Sequence, residues 1–312
     1  YGNSGRDTFS NDFAVQNILA GTILADTMFG KTSFSGQASG SEISSQAVSG
    51  SAHIDIDDAK YNSYTYKNIT IDGQMAENRL SAVASCPDSN LNFKLFADAD
   101  LREAKQKYSA KLDLVNANLF ALNFTKNNFS VSTTLATEAD YAGFQNADAS
   151  LRLVNTILTG PEKTLPVSSI EIQAASAPDS LRVEIKSDLL DGNIFANIAP
   201  ENLGKTLQSA YRKYFGLADT NLVKPGQNLA FSMDIHLPDD ILKLVSPDFD
   251  SLKISKMEGR YESDNNELSA ELKMPFARFS GLQLDSLNLS VNGKNESFTM
   301  EMNLETLSYD TL

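Results

Sequence analysis

In NLNFKLFADADL (Asn90 to Leu101) apolar and polar residues trade places at nearly every step. That is the two-residue period of a strand with one face in water and the other turned away from it. The same period runs through SAHIDID, RLSAVASC, YSAKLDL, NLFALNF, FSVSTTLA and ADASLRLV to about Val154. It resumes after Pro166 in VSSIEIQA, SLRVEIKSDL, NIFANIA, NLAFSMDIHL, KMEGRYES and ELSAELKM, and in a tail with LNLSVNG and SFTMEMNLE. Asn, Asp, Ser and Gly separate the runs, as turns between strands require. An amphipathic helix would need three- and four-residue steps, so the chain is predicted to be mainly β, with consecutive strands paired antiparallel.

One departure from the period recurs. In YKNITI (Tyr66 to Ile71), VSSIEI (Val167 to Ile172), FDSLKI (Phe249 to Ile254) and LDSLNL (Leu284 to Leu289), the first apolar residue stands three positions before the second. LVNANL (Leu114 to Leu119) and FQNADA (Phe144 to Ala149) are weaker relatives. A β-bulge lets apolar side chains three apart share one face, and it bends and twists the strand. Asn and Ser suit the extra position because they hydrogen-bond locally, and Asn tolerates unusual backbone angles. Each copy is followed by another alternating strand, at uneven spacing, so the unit is a degenerate hairpin repeat and not a solenoid of fixed period. Repeated bulges predict a long antiparallel sheet curled into a trough with one to three short helices; a closed β-sandwich is the alternative.

Three segments interrupt the strands. APENLGKTLQSAYRKYFG places Leu203, Leu207, Ala210, Tyr211, Tyr214 and Phe215 at helical steps, with Pro200 at the entrance and Gly216 at the exit. PDDILKLV (Pro238 to Val245) reads as a short helix capped by an Asp, and NDFAVQNILAGTILADTMF fits either a helix or a strand. Residues 1–312 read as one elongated, repeat-built segment of a larger protein, with a sub-boundary in the helical stretch 199–225.

The net charge of −14 argues against nucleic acid and against adsorption to anionic lipid through a basic patch. The single cysteine, Cys86, excludes an internal disulfide and continues the alternation Leu80, Ala82, Ala84 as a small buried hydrophobe. His53 and His236 lie inside alternating strands, and no Ser-His-Asp order, zinc ligand set, P-loop or dinucleotide motif is visible. The acidic groups Asp55/Asp57/Asp58, Asp98/Asp100 and Asp239/Asp240 read as strand ends, a polar strand face and a helix start. No catalytic residue, cofactor or metal is expected. No run approaches the ~20 apolar residues of a membrane-spanning helix.

SLRVEIKSDLLDGNIFANIAPENLGKTLQSAYRKYF, MEGRYESDNNELSAELKMPFARFSGLQLDSLNLSVNGKNESFTMEM and AKYNSYTYKNITIDGQMAENRL resemble blocks of the TamB-like, AsmA-related envelope proteins of Bacteroidota. The likeness covers about two thirds of the chain and is weakest in the first forty residues. It implies an inner-membrane-anchored β trough (a "taco") crossing the periplasm, with its anchor outside this segment. It implies phospholipid or other acyl-chain cargo, and an outer-membrane barrel partner met through other parts of the protein. On that reading the lining is expected to include Ile69, Ile71, Leu80, Ala82, Ile170, Ile172, Leu181, Val183, Leu252, Ile254, Leu287, Leu289, Phe298 and Met300. A cell-surface glycan-binding or adhesion module is the alternative, with Tyr61, Tyr64 and Tyr66 as its aromatic platform.

Overall fold

The computed structural model describes residues 8–44, 47–214, 225–294 and 297–309. Its architecture is mainly β, a nineteen-stranded antiparallel meander with few short helices, and it divides into two compact units.

Unit 1 comprises residues 1–140 and 152–167. Its strands are β1 (Thr8–Leu19), β2 (Phe29–Ser44), β3 (Ala47–Tyr61), β4 (Tyr64–Ala76), β5 (Arg79–Pro87), β6 (Leu91–Asp100), β7 (Gln106–Asn118), β8 (Ser130–Tyr141), most of β9 (Ala147–Thr159) and β10 (Thr164–Val167). The ambiguous N-terminal segment is thus a strand, followed by the five-residue helix α1 (Ala20–Leu24). Each strand from β1 to β6 pairs antiparallel with the next. Asn62-Ser63 and Glu77-Asn78 turn two of the hairpins with φ positive at both positions, the geometry that matches strand twist. NLFALNF does not form the expected strand: after Asn118 the chain turns, and Leu122 is pulled into the interior.

Unit 2 comprises residues 141–151 and 168–312. It contains β11 (Ile170–Ala177), β12 (Ser180–Lys186), β13 (Leu190–Ala196), β14 (Asn228–Ile235), β15 (Phe249–Glu262), β16 (Glu267–Phe279), β17 (Leu282–Lys294), β18 (Ser297–Asn303) and β19 (Thr306–Tyr309). Neighbours again pair antiparallel, and β18 and β19 share the flank of β17. The predicted Pro200 helix begins as a 3-10 turn and continues as α2 (Leu203–Tyr214); its Gly216 exit lies outside the described residues. PDDILKLV forms α3 (Asp239–Val245). Pro238 occupies the cap position with no side-chain hydrogen bond, and Asp239 instead accepts from Ser251 Oγ at 2.9 Å and Lys253 Nζ at 3.2 Å.

The interior is small. Unit 1 has a buried cluster of Tyr66, Ala117 and Leu122, and unit 2 one of Ala196, Ile198, Leu229 and Tyr261 beneath Leu203. The chain exposes 19163 Å². A compact monomer of this length would expose about 12,800 Å², and even two separate compact halves only about 15,400 Å². Two packed sheets would bury their facing residues, yet Ile54, Ile71, Leu95 and Leu112 in unit 1 and Val183, Ile194 and Leu272 in unit 2 are only partly buried. Among the described residues neither unit contains a closed sandwich.

Candidate functional site: a continuous apolar sheet face

Antiparallel partners project from the same side of a sheet, so register decides which residues share a face. In unit 1, Gly36 pairs with Ile54, Ile54 with Ile71, Ile71 with Ala84, Ala84 with Leu95 and Leu95 with Leu112. Four residues along, a second row runs Gly40, Gly50, Met75, Leu80, Ala99 and Tyr108. Between them lies a row of small residues alone: Ala38, Ala52, Gly73, Ala82, Ala97 and Ala110. A lane of small residues therefore crosses six strands, about 24 Å at the ordinary strand spacing. Larger side chains stand at Ile54, Ile71, Leu95 and Leu112 on one side and at Met75, Leu80 and Tyr108 on the other. At Gly73 an added Cβ would meet nothing within 4 Å. At the β1 flank the rings of Phe9 and Phe13 fill the flanking positions of β2, lying 2.6 and 2.8 Å from where Cβ atoms of Gly40 and Gly36 would sit on either side of Ala38.

Unit 2 presents the same kind of face without a lane. One row is Leu181, Ala196, Leu229, Tyr261, Leu268, Gly293 and Phe298; the next is Ala174, Val183, Ile194, Phe231, Gly259, Ala270, Val291 and Met300. A third is Ile172, Ile185, Gly192, Met233, Met257, Leu272, Leu289 and Met302. Here the glycines are filled from beside them, Gly259 by the Phe231 ring and Gly192 by Met233.

Of the residues expected to line a groove, Ile69, Ile71, Leu80 and Ala82 fall on the one apolar face of unit 1. Ile172, Leu181, Val183, Leu289, Phe298 and Met300 fall in the three rows of unit 2, and Ile170 alternates with Ile172. Leu287 pairs with Met274, Leu252 with Ala277, and Ile254 with Ile235 across a register slip. Leu80, Phe298 and Met300 are exposed at 40%, 37% and 59%.

The register is kept across changes of period by the bulges. Asn68 and Ser286, the third residues of YKNITI and LDSLNL, have φ of 57° and 53°. FDSLKI instead slips register between Phe249 and Ser251, and Ser169 of VSSIEI lies in the break between β10 and β11. Val115 of LVNANL is bulged out opposite β6, while FQNADA forms a turn with Ala142 N–H donating to Asn146 O. Spacing had not singled out Asn17 of VQNIL or Asn155 of LVNTIL, both left-handed within strands at φ of 55° and 54°. An apolar-x-Asn step was their signal. In β1 to β4 these features adjoin: Asn17 N–H donates to Ser33 Oγ at 3.2 Å, Ser33 pairs with Asp58, and Asp58 with Lys67, next to Asn68. Ile56 and Ala59 of β3 repeat the three-residue step of Ile69 and Tyr66, so the two strands change face together.

The opposite face is polar. Ser39 meets Ser51 at 3.1 Å and Thr70 meets Ser85 at 2.7 Å, both between partner strands. His53 bridges Asp72 (2.6 Å, Nδ1) and Asp55 (3.1 Å, Nε2), and these carboxylates, Asp72 foremost, raise its pKa above 6.5. In unit 2, Lys256 reaches Glu271 at 2.6 Å and Glu258 at 2.8 Å, which lowers the pKa of Glu271. Cys86 is 1% exposed, and burial pushes its thiol up. Tyr64 and Tyr66 pack edge to face at 4.9 Å, Tyr66 is 8% exposed, and Tyr64 donates to Asp88. These rings are internal packing, not a flat platform.

No helix among the described residues is long and apolar enough to cross a membrane. No family model matches the chain, and no curated protein or solved structure matches it.

Proposed function

We propose that the apolar face is a sliding surface for acyl chains, in a periplasmic protein of the TamB-like kind that carries phospholipid between membranes. The observation that supports this reading most is the continuity of the face. Rows of apolar side chains run in register across six strands of unit 1 and eight of unit 2, and outside the buried cluster of Ala196, Leu229 and Tyr261 their large side chains are only partly buried or exposed. Uncovered apolar surface of this extent is costly in water, at roughly 25 cal/mol per Å². A lipid tail relieves that cost without a fixed pocket, and uniform rows offer no deep site to trap it. The lane of unit 1, about 24 Å long, exceeds the ~15 Å depth of one leaflet's acyl region. Bulges aligned across strands favour a shallow trough curved about that lane.

Lipid extraction and mass spectrometry of the purified protein test the proposal: phospholipid or fatty acid is expected to copurify. Ile71→Asp and Leu80→Asp are expected to abolish copurification and to impair outer-membrane integrity while the chain stays folded. Folded variants with unchanged lipid content and a normal envelope would remove the face from the mechanism.

A further inference from the structure

One apolar row of unit 2 is covered, and its cover is not part of the sheet. Leu181, Ala196, Leu229, Tyr261 and Leu268 stand side by side in register. Leu203, the first residue of α2, packs on the cluster they form with Ile198. Thr206, three residues on, is also buried, whereas Gly204, Lys205, Gln208 and Arg212 are exposed. In the two neighbouring rows of the same face, Val183, Phe231, Met233 and Leu272 stay only partly buried.

The helix belongs to an excursion between two strands that pair without it. β13 ends at Ala196, β14 begins at Asn228, and Ala196 pairs directly with Leu229. Asn197 clasps the two ends of the excursion. Its N–H donates to Asn228 O at 3.0 Å, its Nδ2 donates to Gly226 O at 2.6 Å, and its Oδ1 accepts from Asn228 N–H. On the returning side Gln227 N–H donates to Ser263 Oγ at 2.8 Å. The register of the sheet is therefore complete below the clasp, and α2 can leave the row without breaking a strand pair.

Above the clasp α2 is lightly held. Ala199 is extended, at φ −54° and ψ 132°, and Pro200 opens the 3-10 turn, so the chain changes direction at one residue. Glu201 accepts from Gln145 Nε2 at 2.6 Å in an exposed bond. Gly204 weakens the first turn, and a helix of 12 residues is marginal in water by itself. Beneath it, Tyr261 is 1% exposed, and its hydroxyl has no hydrogen-bond partner among the described residues. Burying an unpaired hydroxyl is costly, and opening would return it to water.

We propose that α2 is a displaceable cover, which leaves the row from Leu181 to Leu268 when an acyl chain takes its place there. This rests on the reading of the sheet face as a surface for acyl chains. The covered row adjoins the two open rows of the same face, so a chain lying on those can spread onto it. The acyl chain replaces the apolar contacts of Leu203, and the unpaired hydroxyl of Tyr261 lowers the cost of opening. Ligand binding then shifts the population toward the open state.

Hydrogen exchange of the full chain, read by mass spectrometry with and without palmitate, decides it. Amides of α2 are expected to exchange through local opening, well before those of β14 to β16. Palmitate should speed α2 exchange on the order of tenfold while β14 to β16 keep their protection. Tyr261→Phe, which removes the hydroxyl and keeps the ring, should slow α2 exchange on the order of tenfold and weaken palmitate binding. Leu203→Asp should abolish α2 protection and tighten palmitate binding, the reverse of what loss of a lining residue would do. Palmitate binding with α2 exchange unchanged, or weaker binding by a folded Leu203→Asp chain, would overturn the cover and leave the sheet-face reading standing. If Leu203→Asp fails to fold, Tyr261→Phe decides alone: exchange and affinity equal to the native chain's would overturn the cover. No palmitate binding by the native chain or either variant would instead overturn the sheet-face reading, and the cover with it.

Discussion

Asn68 occupies a strand interior with φ of 57°, a region that costs an L residue with a branched side chain about 1–2 kcal/mol. Asn68→Val is therefore expected to destabilise by about that amount in urea denaturation, and Asn68→Gly to change stability far less. Equal effects of both substitutions would show that side-chain contacts, not backbone strain, decide this position. His53 makes a second residue-scale case. Its bonds to Asp72 and Asp55 favour the imidazolium, so its pKa lies above 6.5. A raised folded-state pKa means that this contribution is full below the unfolded value of about 6.5 and disappears as pH rises through the folded value. NMR titration should show the elevated pKa in the native chain and a fall toward the ordinary value in Asp72→Asn.

At the scale of elements, the β3–β7 segment of unit 1 combines a wall, a floor and a second wall. The floor residues Ala52, Gly73, Ala82, Ala97 and Ala110 support no packing layer above them, so filling the lane should cost little. Ala97→Phe is expected to change stability by less than about 1 kcal/mol, since it adds a side chain to open surface and not to a filled core. The same substitution should displace a bound fluorescent fatty acid, read as loss of its blue-shifted emission. Retained emission would move the lipid path off the lane. Unit 2 makes a useful contrast, because Phe231 already lies where a Cβ on Gly259 would go. A pair of apolar sheet faces thus differ in depth through the choice of which rows carry Ala and Gly.

For the molecule as a whole, apolar surface and negative charge have to be reconciled. A surface of 19163 Å² with exposed apolar rows invites association, while a net charge of −14 keeps chains apart in solution. The native chain is expected to bind the apolar dye ANS strongly at neutral pH, without denaturant. Long-chain fatty acid should displace it in proportion to occupancy of the face. Negligible native-state ANS fluorescence would mean that the face is covered in solution.

Alternation alone made the strands, their antiparallel order and their apolar side legible, because a two-residue period is a local property of the backbone. Tyr66, Asn68 and Ile69 announced a change of period, and Leu203 and Pro200 a helix, for the same local reason. NLFALNF alternates equally well yet is a turn, because Leu122 is more stably buried against Tyr66 and Ala117 than spread along an edge. Ser169 and Ser251 repeat the Asn68 pattern without its backbone angle, since a neighbouring strand can absorb the extra residue by slipping register. The lane of Ala38, Ala52, Gly73, Ala82, Ala97 and Ala110 was not legible in any one strand. Each of those residues is an unremarked small side chain until pairing register sets it beside the next. Local spacing therefore determined which residues face which side of a strand, while only tertiary pairing decided which of them stand together, because register is fixed between strands and not within them.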